Sequence, residues 1–314
     1  MNLHLEAALR STPWAGASSA LNGLVSTATT FSPSAARAAI ATRGRPLRAA
    51  SPRGIAVLTI RGPLFQHPSL FQMFVGGTST TQFGALLADA VDDETISQIL
   101  IDVDSPGGEV AGVAALAAQI RAARGTKPIV AIANSVASSA AYVLATSADE
   151  LYVSPGGAVG GLGVVTAHED TSAALAAAGV RVTLISAGPY KTEGNPFGPL
   201  DAAAKKFMLQ RCGEIYGAML QDVAKGRGCS VDTVRRGFGE GRTVGADAAM
   251  AAGMVDGQLS FDGVINHMQR SSRVARAAPR SAAMRSNYAT LDRLSATRGS
   301  SAWIAAQRRL LDGR

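Results

Sequence analysis

The sequence predicts an α/β domain in which helices cover a mainly parallel sheet. Apolar segments of strand length alternate with segments of helical apolar spacing, and turns rich in glycine separate them. The apolar fraction is 47% of 314 residues, which is ample for a sizeable core. The alternation begins at GIAVLTIRGPL, where Gly54 precedes an alternating strand pattern.

The later elements follow in a loose strand-turn-helix order. QILIDVDSPGG is a nearly all-apolar strand that breaks at the Ser-Pro-Gly-Gly turn, and EVAGVAALAAQIRAARG has helical spacing that ends at Gly125. We predict three more strands at KPIVAIANS, ELYVSP and VRVTLISAG. Helices are predicted at SSAAYVLATSA, at HEDTSAALAAAG and over DAAAKKFMLQRCGEIYGAMLQDVAKGRG.

The charge distribution divides the chain into three parts. Residues 270–314 contain ten Arg and two Asp, and residues 1–53 contain six Arg and one Glu. The chain carries +7, so its middle is mildly acidic, and the basic character belongs to the ends. We therefore predict a flexible Ala/Ser/Arg-rich segment over 1–53, a folded domain over 54–264 and a largely flexible Arg-rich tail over 265–314.

Composition also excludes several classes of protein. No stretch has the roughly 18 unbroken apolar residues of a membrane span, and MNLHLEAALRSTPW lacks the pattern of a signal peptide, so a soluble, unexported protein is expected. Cys212 and Cys229 do not have metal-ligand spacing, and two cysteines are too few for a disulfide framework. The acidic middle indicates no specific nucleic-acid binding, and we expect neither a cofactor nor a metal.

Chemistry is most strongly indicated at three segments where a strand meets a helix. In DSPGGEV, Gly107 and Gly108 allow a sharp turn that exposes backbone N–H groups, as an oxyanion hole requires. In VASSAAYVLA, Ser138 or Ser139 is either a helix cap or a nucleophile at the positive helix end. In SAGPYKTEGNPFGPL, Lys191 lies in a loop restrained by glycine and proline, although a surface lysine is the ordinary interpretation.

Together these segments resemble the serine/lysine peptidases of the signal peptide peptidase A type, including the prohead proteases of tailed phages. The resemblance covers roughly residues 54–260: DSPGG, a Ser-small-small-Tyr segment, SPGGAVGGLGVV, the lysine loop and GRTVGADAAMAAGMVD occur in that order. The GNP after the lysine, Gly194 to Pro196, resembles the phage branch most closely.

The resemblance implies a role for each candidate residue. Ser139, followed by Ala140, Ala141 and Tyr142, matches the nucleophile, and Lys191 matches the general base. The Gly107–Gly108 turn matches the oxyanion-forming segment, and substrate-binding residues are not identified. This chain departs from the family at its GSIG segment, whose serine can help to orient the lysine, because Gly161 stands there. Another group or a water molecule would have to orient the lysine.

The mechanism requires an unusual lysine. A free lysine has a pKa near 10.4, so a lysine that acts as a base near pH 7 to 8 must be made neutral by burial. The competing base is His168, followed by Glu169 and Asp170, because it lies after the serine helix as the base does in the related Clp proteases. An ordinary polar loop residue is the simpler interpretation of His168.

The resemblance implies a Clp protease/crotonase-like fold of repeated strand-strand-helix turns that assembles as a homo-oligomeric ring. It further implies a serine endopeptidase that cleaves scaffold, capsid or portal proteins in an assembling prohead in the cytoplasm of a bacterial host. The alternatives are a cytoplasmic relative that degrades signal peptides, a Clp-type Ser/His/Asp protease, and a crotonase-like assembly protein without catalysis.

Overall fold

A computed structural model describes residues 9, 12–34, 36–37, 48–51 and 54–277. The chain divides into two units, Met1–Ile265 and Asn266–Arg314, and all contacts discussed below lie within the first. The described strands are β1 (Trp14–Gly16), β2 (Arg48–Ser51), β3 (Ile55–Arg61), β4 (Leu64–Phe65), β5 (Thr78–Ser79), β6 (Gln98–Ser105), β7 (Gly107–Glu109), β8 (Ile129–Ser138), β9 (Glu150–Val153), β10 (Ala158–Gly160), β11 (Thr243–Gly245) and β12 (Gly257–Gln258).

The helices alternate with these strands along most of the chain. They are α1 (Ser18–Thr30), α2 (Leu70–Val75), α3 (Thr80–Asp92), α4 (Val113–Ala123), α5 (Ala140–Ala145), α6 (Ser172–Ala177), α7 (Ala202–Arg227), α8 (Val231–Gly237), α9 (Ala246–Ala251) and α10 (Phe261–Ala277). Several begin with a side-chain cap: Ser79 accepts a hydrogen bond from Gln82 N, and Asp201 accepts one from Ala204 N. None of the helices in the described ranges is long and apolar enough to cross a membrane.

Two sheets organise the described part of the chain. The larger has the order β11-β10-β8-β6-β3-β2, with β9 pairing with both β8 and β12. Its central pairs, β3 with β6 and β6 with β8, are parallel. The smaller sheet has the order β1-β7-β4-β5, and its β1–β7 pair is antiparallel.

The central strands are buried because their sequences are apolar on both faces. Ile99, Leu100 and Ile101 of β6 are fully buried, as are Ile129 and Ala131 of β8. Such continuous burial is typical of parallel strands covered by helices on both sides. The α/β class predicted from the sequence is confirmed.

One predicted strand is absent from the described structure. VRVTLISAG forms no strand at residues 180–188, and its side chains are exposed. Val180, Val182 and Leu184 are 38–48% exposed, and Ile185 is 95% exposed. The segment has the alternating apolar pattern of a strand, but within the described residues no neighbouring strand accepts its backbone hydrogen bonds, so the strand prediction is wrong.

The prediction of a flexible segment over 1–53 is wrong for residues 12–34. These residues contain β1 and α1, and they bury Trp14, Leu21 and Leu24 against Phe65 and Phe71 in a second apolar cluster. Few large apolar residues were sufficient here because they all lie on one face of the segment. Residues 1–8, 10–11, 35, 38–47 and 52–53, and residues 278–314 of the predicted tail, lie outside the described residues. The domain boundaries stay a prediction.

Candidate active site

Ser139 lies at the turn between β8 and α5 and has a strained backbone. Its φ is 53° and its ψ is −117°, a region that residues with a side chain rarely adopt. Among the described residues, Glu240 is the only other non-glycine residue with positive φ. Such strain costs about 1–3 kcal/mol and persists at functional sites, including serines on sharp strand-to-helix turns. This geometry distinguishes Ser139 from its neighbour Ser138.

The residues after Ser139 hold this turn in place. Ala140 and Ala141 are small enough to be fully buried, and Tyr142 is fully buried with its hydroxyl donating to Met254 O at 2.7 Å. The Tyr142 ring packs edge-on against Phe238, with 6.4 Å between ring centroids. Burial raises the pKa of Tyr142 well above its ordinary value, so the phenol stays a neutral donor. The helix after the serine is therefore anchored at its first turn.

The Ser139 hydroxyl is enclosed by a neighbouring loop. Ser139 N donates to Gly160 O at 2.6 Å, and Ser139 Oγ donates to Gly163 O at 3.2 Å. The residue is completely buried. A protein substrate therefore cannot reach Oγ in this conformation.

The predicted oxyanion segment lies beside the serine. Gly107 has φ of +91°, and a Cβ added there would collide with Ala15 O and would lie 2.9 Å from Ser138 O. Only glycine fits this position, which lies next to the peptide that precedes Ser139. The Gly107 N–H donates to Ser105 Oγ at 3.2 Å.

Ser138 has a separate position in the site. A Cβ added to Gly161, whose φ is +61°, would collide with Ser138 Oγ. The Ser138 hydroxyl thus occupies the space that a side chain at 161 would need. It faces a cavity of about 540 Å³. That cavity is lined by Gly16, Ala17, Ser18, Ser19, Ser138, Gly161, Gly163, Val164, Val165, Gly241, Arg242 and Thr243.

Lys191 is placed in an exposed loop and is not brought to Ser139. Within the described ranges no hydrogen bond joins the two side chains: Ser139 Oγ bonds to Gly163 O, and Lys191 is exposed. The backbone N–H of Lys191 donates to Gly188 O at 3.3 Å, within the same loop. The structure therefore leaves the assignment of Lys191 as the base untested.

His168 contacts the lysine loop instead of the serine. Its Nε2 atom lies 2.9 Å from Asn195 O. Thr171 Oγ1 donates to Pro196 O at 2.8 Å, so two residues of the GNP segment are held by the segment 168–171. The ring position of His168 fits a support for the loop better than a base for Ser139.

Sequence reasoning missed two contributors to the site. The carbonyl of Gly163 binds the serine hydroxyl, and residues 14–17 lie beside the Gly107 turn. Ser138, which sequence reasoning named as a cap or nucleophile, lines the cavity. No sequence pattern marks a carbonyl or a distant strand as part of a site, since both are brought there by tertiary packing.

A family model gives the first comparison with known proteins, and it matches residues 121–275, the part that contains Ser139 and Lys191. These residues form a domain of peptidase family S49. Family S49 has the Clp protease/crotonase-like fold, so the predicted fold and the predicted family resemblance are both confirmed.

Relatives of the S49 domain include phage head proteins. The chain is 34% identical over 215 residues to the head-tail preconnector protein GP5 of Enterobacteria phage P21, covering 68% of this chain and 42% of the relative. It is 33% identical over 216 residues to the capsid assembly protease C of Escherichia phage lambda, covering 69% of this chain and 49% of the relative. It is also 26% identical over 192 residues to Protease 4 of Salmonella typhi, covering 61% and 30%. The chain thus spans less than half the length of the two phage relatives.

Proposed function

We propose that this chain is a serine endopeptidase with Ser139 as its nucleophile. The strained backbone of Ser139, beside the Gly107 turn and inside an S49 domain, is the observation that carries the proposal. A catalytic serine needs its hydroxyl presented at a sharp turn with backbone N–H groups nearby, and this turn has that form.

The proposed reaction uses a lysine base. The neutral amine of Lys191 takes the proton of Ser139 Oγ as that oxygen attacks a peptide carbonyl. The N–H groups of Gly107 and Gly108 stabilise the oxyanion, and the lysine returns the proton to the leaving amine. Water then hydrolyses the acyl-enzyme. Gly107 must exchange its bond to Ser105 Oγ for one to the oxyanion.

The Lys191 loop has to close over the serine for this chemistry. The loop follows an exposed apolar segment that includes Val180, Leu184 and Ile185. We infer that assembly into a homo-oligomeric ring covers this segment and carries Lys191 to Ser139. Ser138 Oγ, which fills the space beside Gly161, is the group best placed to orient the lysine in that closed state.

The proposed substrates are the proteins of an assembling phage head. Two relatives with about one third identity are named for head-tail connection and capsid assembly. Scaffold, capsid or portal proteins inside a prohead, in the cytoplasm of a bacterial host, are therefore the partners that we propose.

The test is cleavage of co-expressed head proteins by matched variants. Ser139→Ala and Lys191→Ala should each abolish cleavage, because members of one catalytic unit fail together. Ser138→Ala should reduce cleavage but retain a measurable rate, since it removes the hydroxyl proposed to orient the lysine and leaves the nucleophile in place. Full cleavage by either catalytic variant would contradict the mechanism. Specific activity that does not rise with enzyme concentration, across the range where size-exclusion chromatography shows assembly, would contradict the assembly step.

A further inference from the structure

The groove beside the catalytic turn already holds a strand of the same chain. Residues 13–17, here called the strap, contain β1, which pairs antiparallel with β7 in the register Trp14 to Glu109 and Gly16 to Gly107. On its other edge, Trp14 N donates to Val165 O at 2.9 Å, and Val165 N donates to Trp14 O at 3.0 Å. The strap is therefore bonded on both sides.

Both walls of this groove belong to the proposed catalytic machinery. One wall contains the Gly107 turn, and the other follows Gly163, whose carbonyl binds Ser139 Oγ. An extended peptide that presents a carbonyl to Ser139 would bind between the same two walls by strand addition. The strap occupies the backbone hydrogen bonds that such a peptide needs.

The strap also engages the second predicted oxyanion donor. Ala17 N donates to Pro106 O at 3.0 Å, and Val110 N approaches Pro13 O at 3.5 Å. Hydrogen-bonded pairs recur at every second residue of an antiparallel ladder. Ala15 and Gly108 lie opposite each other midway between these two bonds, so they form the hydrogen-bonded pair at that position. The Gly108 N–H is thereby directed at Ala15 O and is not available to a substrate.

The strap is anchored in the apolar core and does not continue in the extended form of a cleavable peptide. Trp14 is fully buried among apolar side chains that include Leu24 and Phe71, and this anchors the strap. Helix α1 begins at Ser18, directly after the strap, so the chain beyond Ala17 is not extended as a cleavable peptide would be.

We propose that the strap is an intramolecular competitive inhibitor, and that a protein substrate gains access to Ser139 only when the strap withdraws. This inference rests on the proposed peptidase function. The strap lies beside the serine turn, because Ala15 O and Ser138 O both border the space that a side chain at Gly107 would need. When a binding-competent state is only partly populated, apparent affinity falls by that fraction, so a strap in place nine tenths of the time would lower casein cleavage about tenfold.

The first arm of the test measures cleavage of fluorescein-labelled casein by the full chain. Ala15→Pro removes the N–H at the centre of the strap and should raise kcat/KM about tenfold, while Ser26→Ala, an exposed change on α1, should leave it unchanged. Added peptide TPFAGASS, a Phe version of residues 12–19, should return the Ala15→Pro rate towards wild type. A folded Ala15→Pro variant that cleaves no faster than wild type would overturn the proposal. Wild-type protein cleaved within the strap, seen as an intact-mass loss, would also overturn it.

The second arm does not need activity. In a Ser139→Ala, Trp303→Phe chain, Trp14 is the remaining tryptophan. Binding of TPFAGASS, followed by anisotropy of a labelled copy, should displace the strap and shift Trp14 emission to longer wavelength. Binding without a shift, or no binding at all, would overturn the strap proposal. If no variant cleaves casein but the Trp14 emission still shifts, the result contradicts the proposed peptidase function and supports the proposal that the strap occupies the groove.

Discussion

Replacing Ser139 by glycine and by alanine measures the backbone strain at the proposed nucleophile. Both replacements remove the hydroxyl and its bond to Gly163 O, so that loss is common to the two variants. They differ because glycine accepts a φ of 53° and alanine does not. The same pair of replacements at Ser138 is the matched control, since Ser138 is also buried and its φ is not positive.

The expected magnitude follows from this comparison. At Ser138, changing alanine to glycine should lower the free energy of unfolding by about 0.5–1 kcal/mol through backbone entropy, with some further loss of buried contact. At Ser139 the same costs are opposed by relief of about 1–3 kcal/mol of strain. The difference between the two alanine-to-glycine steps should therefore be about 1–3 kcal/mol in favour of position 139.

Urea denaturation of the four variants, followed by circular dichroism, gives the four free energies of unfolding. Casein cleavage is measured in parallel, and both position 139 variants should be inactive. Equal alanine-to-glycine steps at the two positions would refute the reasoning, because they would mean that the turn relaxes without cost when its side chain changes. Activity in either position 139 variant would refute the role of the hydroxyl.

Three further predictions concern the surroundings of the site. Gly161→Ala should lower the free energy of unfolding by about 1–3 kcal/mol and reduce casein cleavage, because the added Cβ meets Ser138 Oγ and the φ of residue 161 is +61°. Adding Ser138→Ala should recover part of the lost stability. No recovery would contradict the contact between the two positions. Asp256 is half-buried, which opposes ionisation, but its bonds from Arg227 and from a backbone N–H hold its pKa below the ordinary value. Ionised Asp256 therefore stabilises the folded state above about pH 4, which is its pKa in the unfolded chain. This stabilisation is lost as the pH falls through the lower pKa of the folded state. In urea titrations the difference in free energy of unfolding between wild type and Asp256→Asn should become smaller in that acid range. A difference that does not change with pH would contradict this prediction. Casein cleavage should rise from pH 6 towards 9, since a neutral lysine is the active form, and His168→Ala should still cleave; a folded, inactive His168→Ala chain would favour the histidine alternative.

The turns of the candidate site could be located from sequence because each has a local physical cause. Gly-Gly after a buried strand predicts a sharp turn, and Gly107 does have positive φ. Small residues around Ser139 predict a tight strand-to-helix junction, and that junction is present. Periodicity also predicted the buried strands β3, β6, β8 and β9 close to their observed bounds.

The failures have physical causes as well. The pattern at 180–188 specifies side-chain alternation but not a strand partner, and no partner lies beside it in the described structure. Composition alone suggested that residues 12–34 could not fold. In the structure, Trp14 and the apolar face of α1 pack against Phe65 and Phe71.

The sequence by itself determined where the candidate turns lie and which strands form the core, because turn chemistry and apolar periodicity are local properties. It could not determine which of two adjacent serines is strained, which carbonyl receives the Ser139 hydroxyl, or that residues 13–17 lie in the groove beside it. Those depend on contacts between segments far apart in the chain, such as Ser139 with Gly163 and Gly16 with Gly107. Only the tertiary structure decides them, since the free energy of each contact depends on where the rest of the core has placed its two partners.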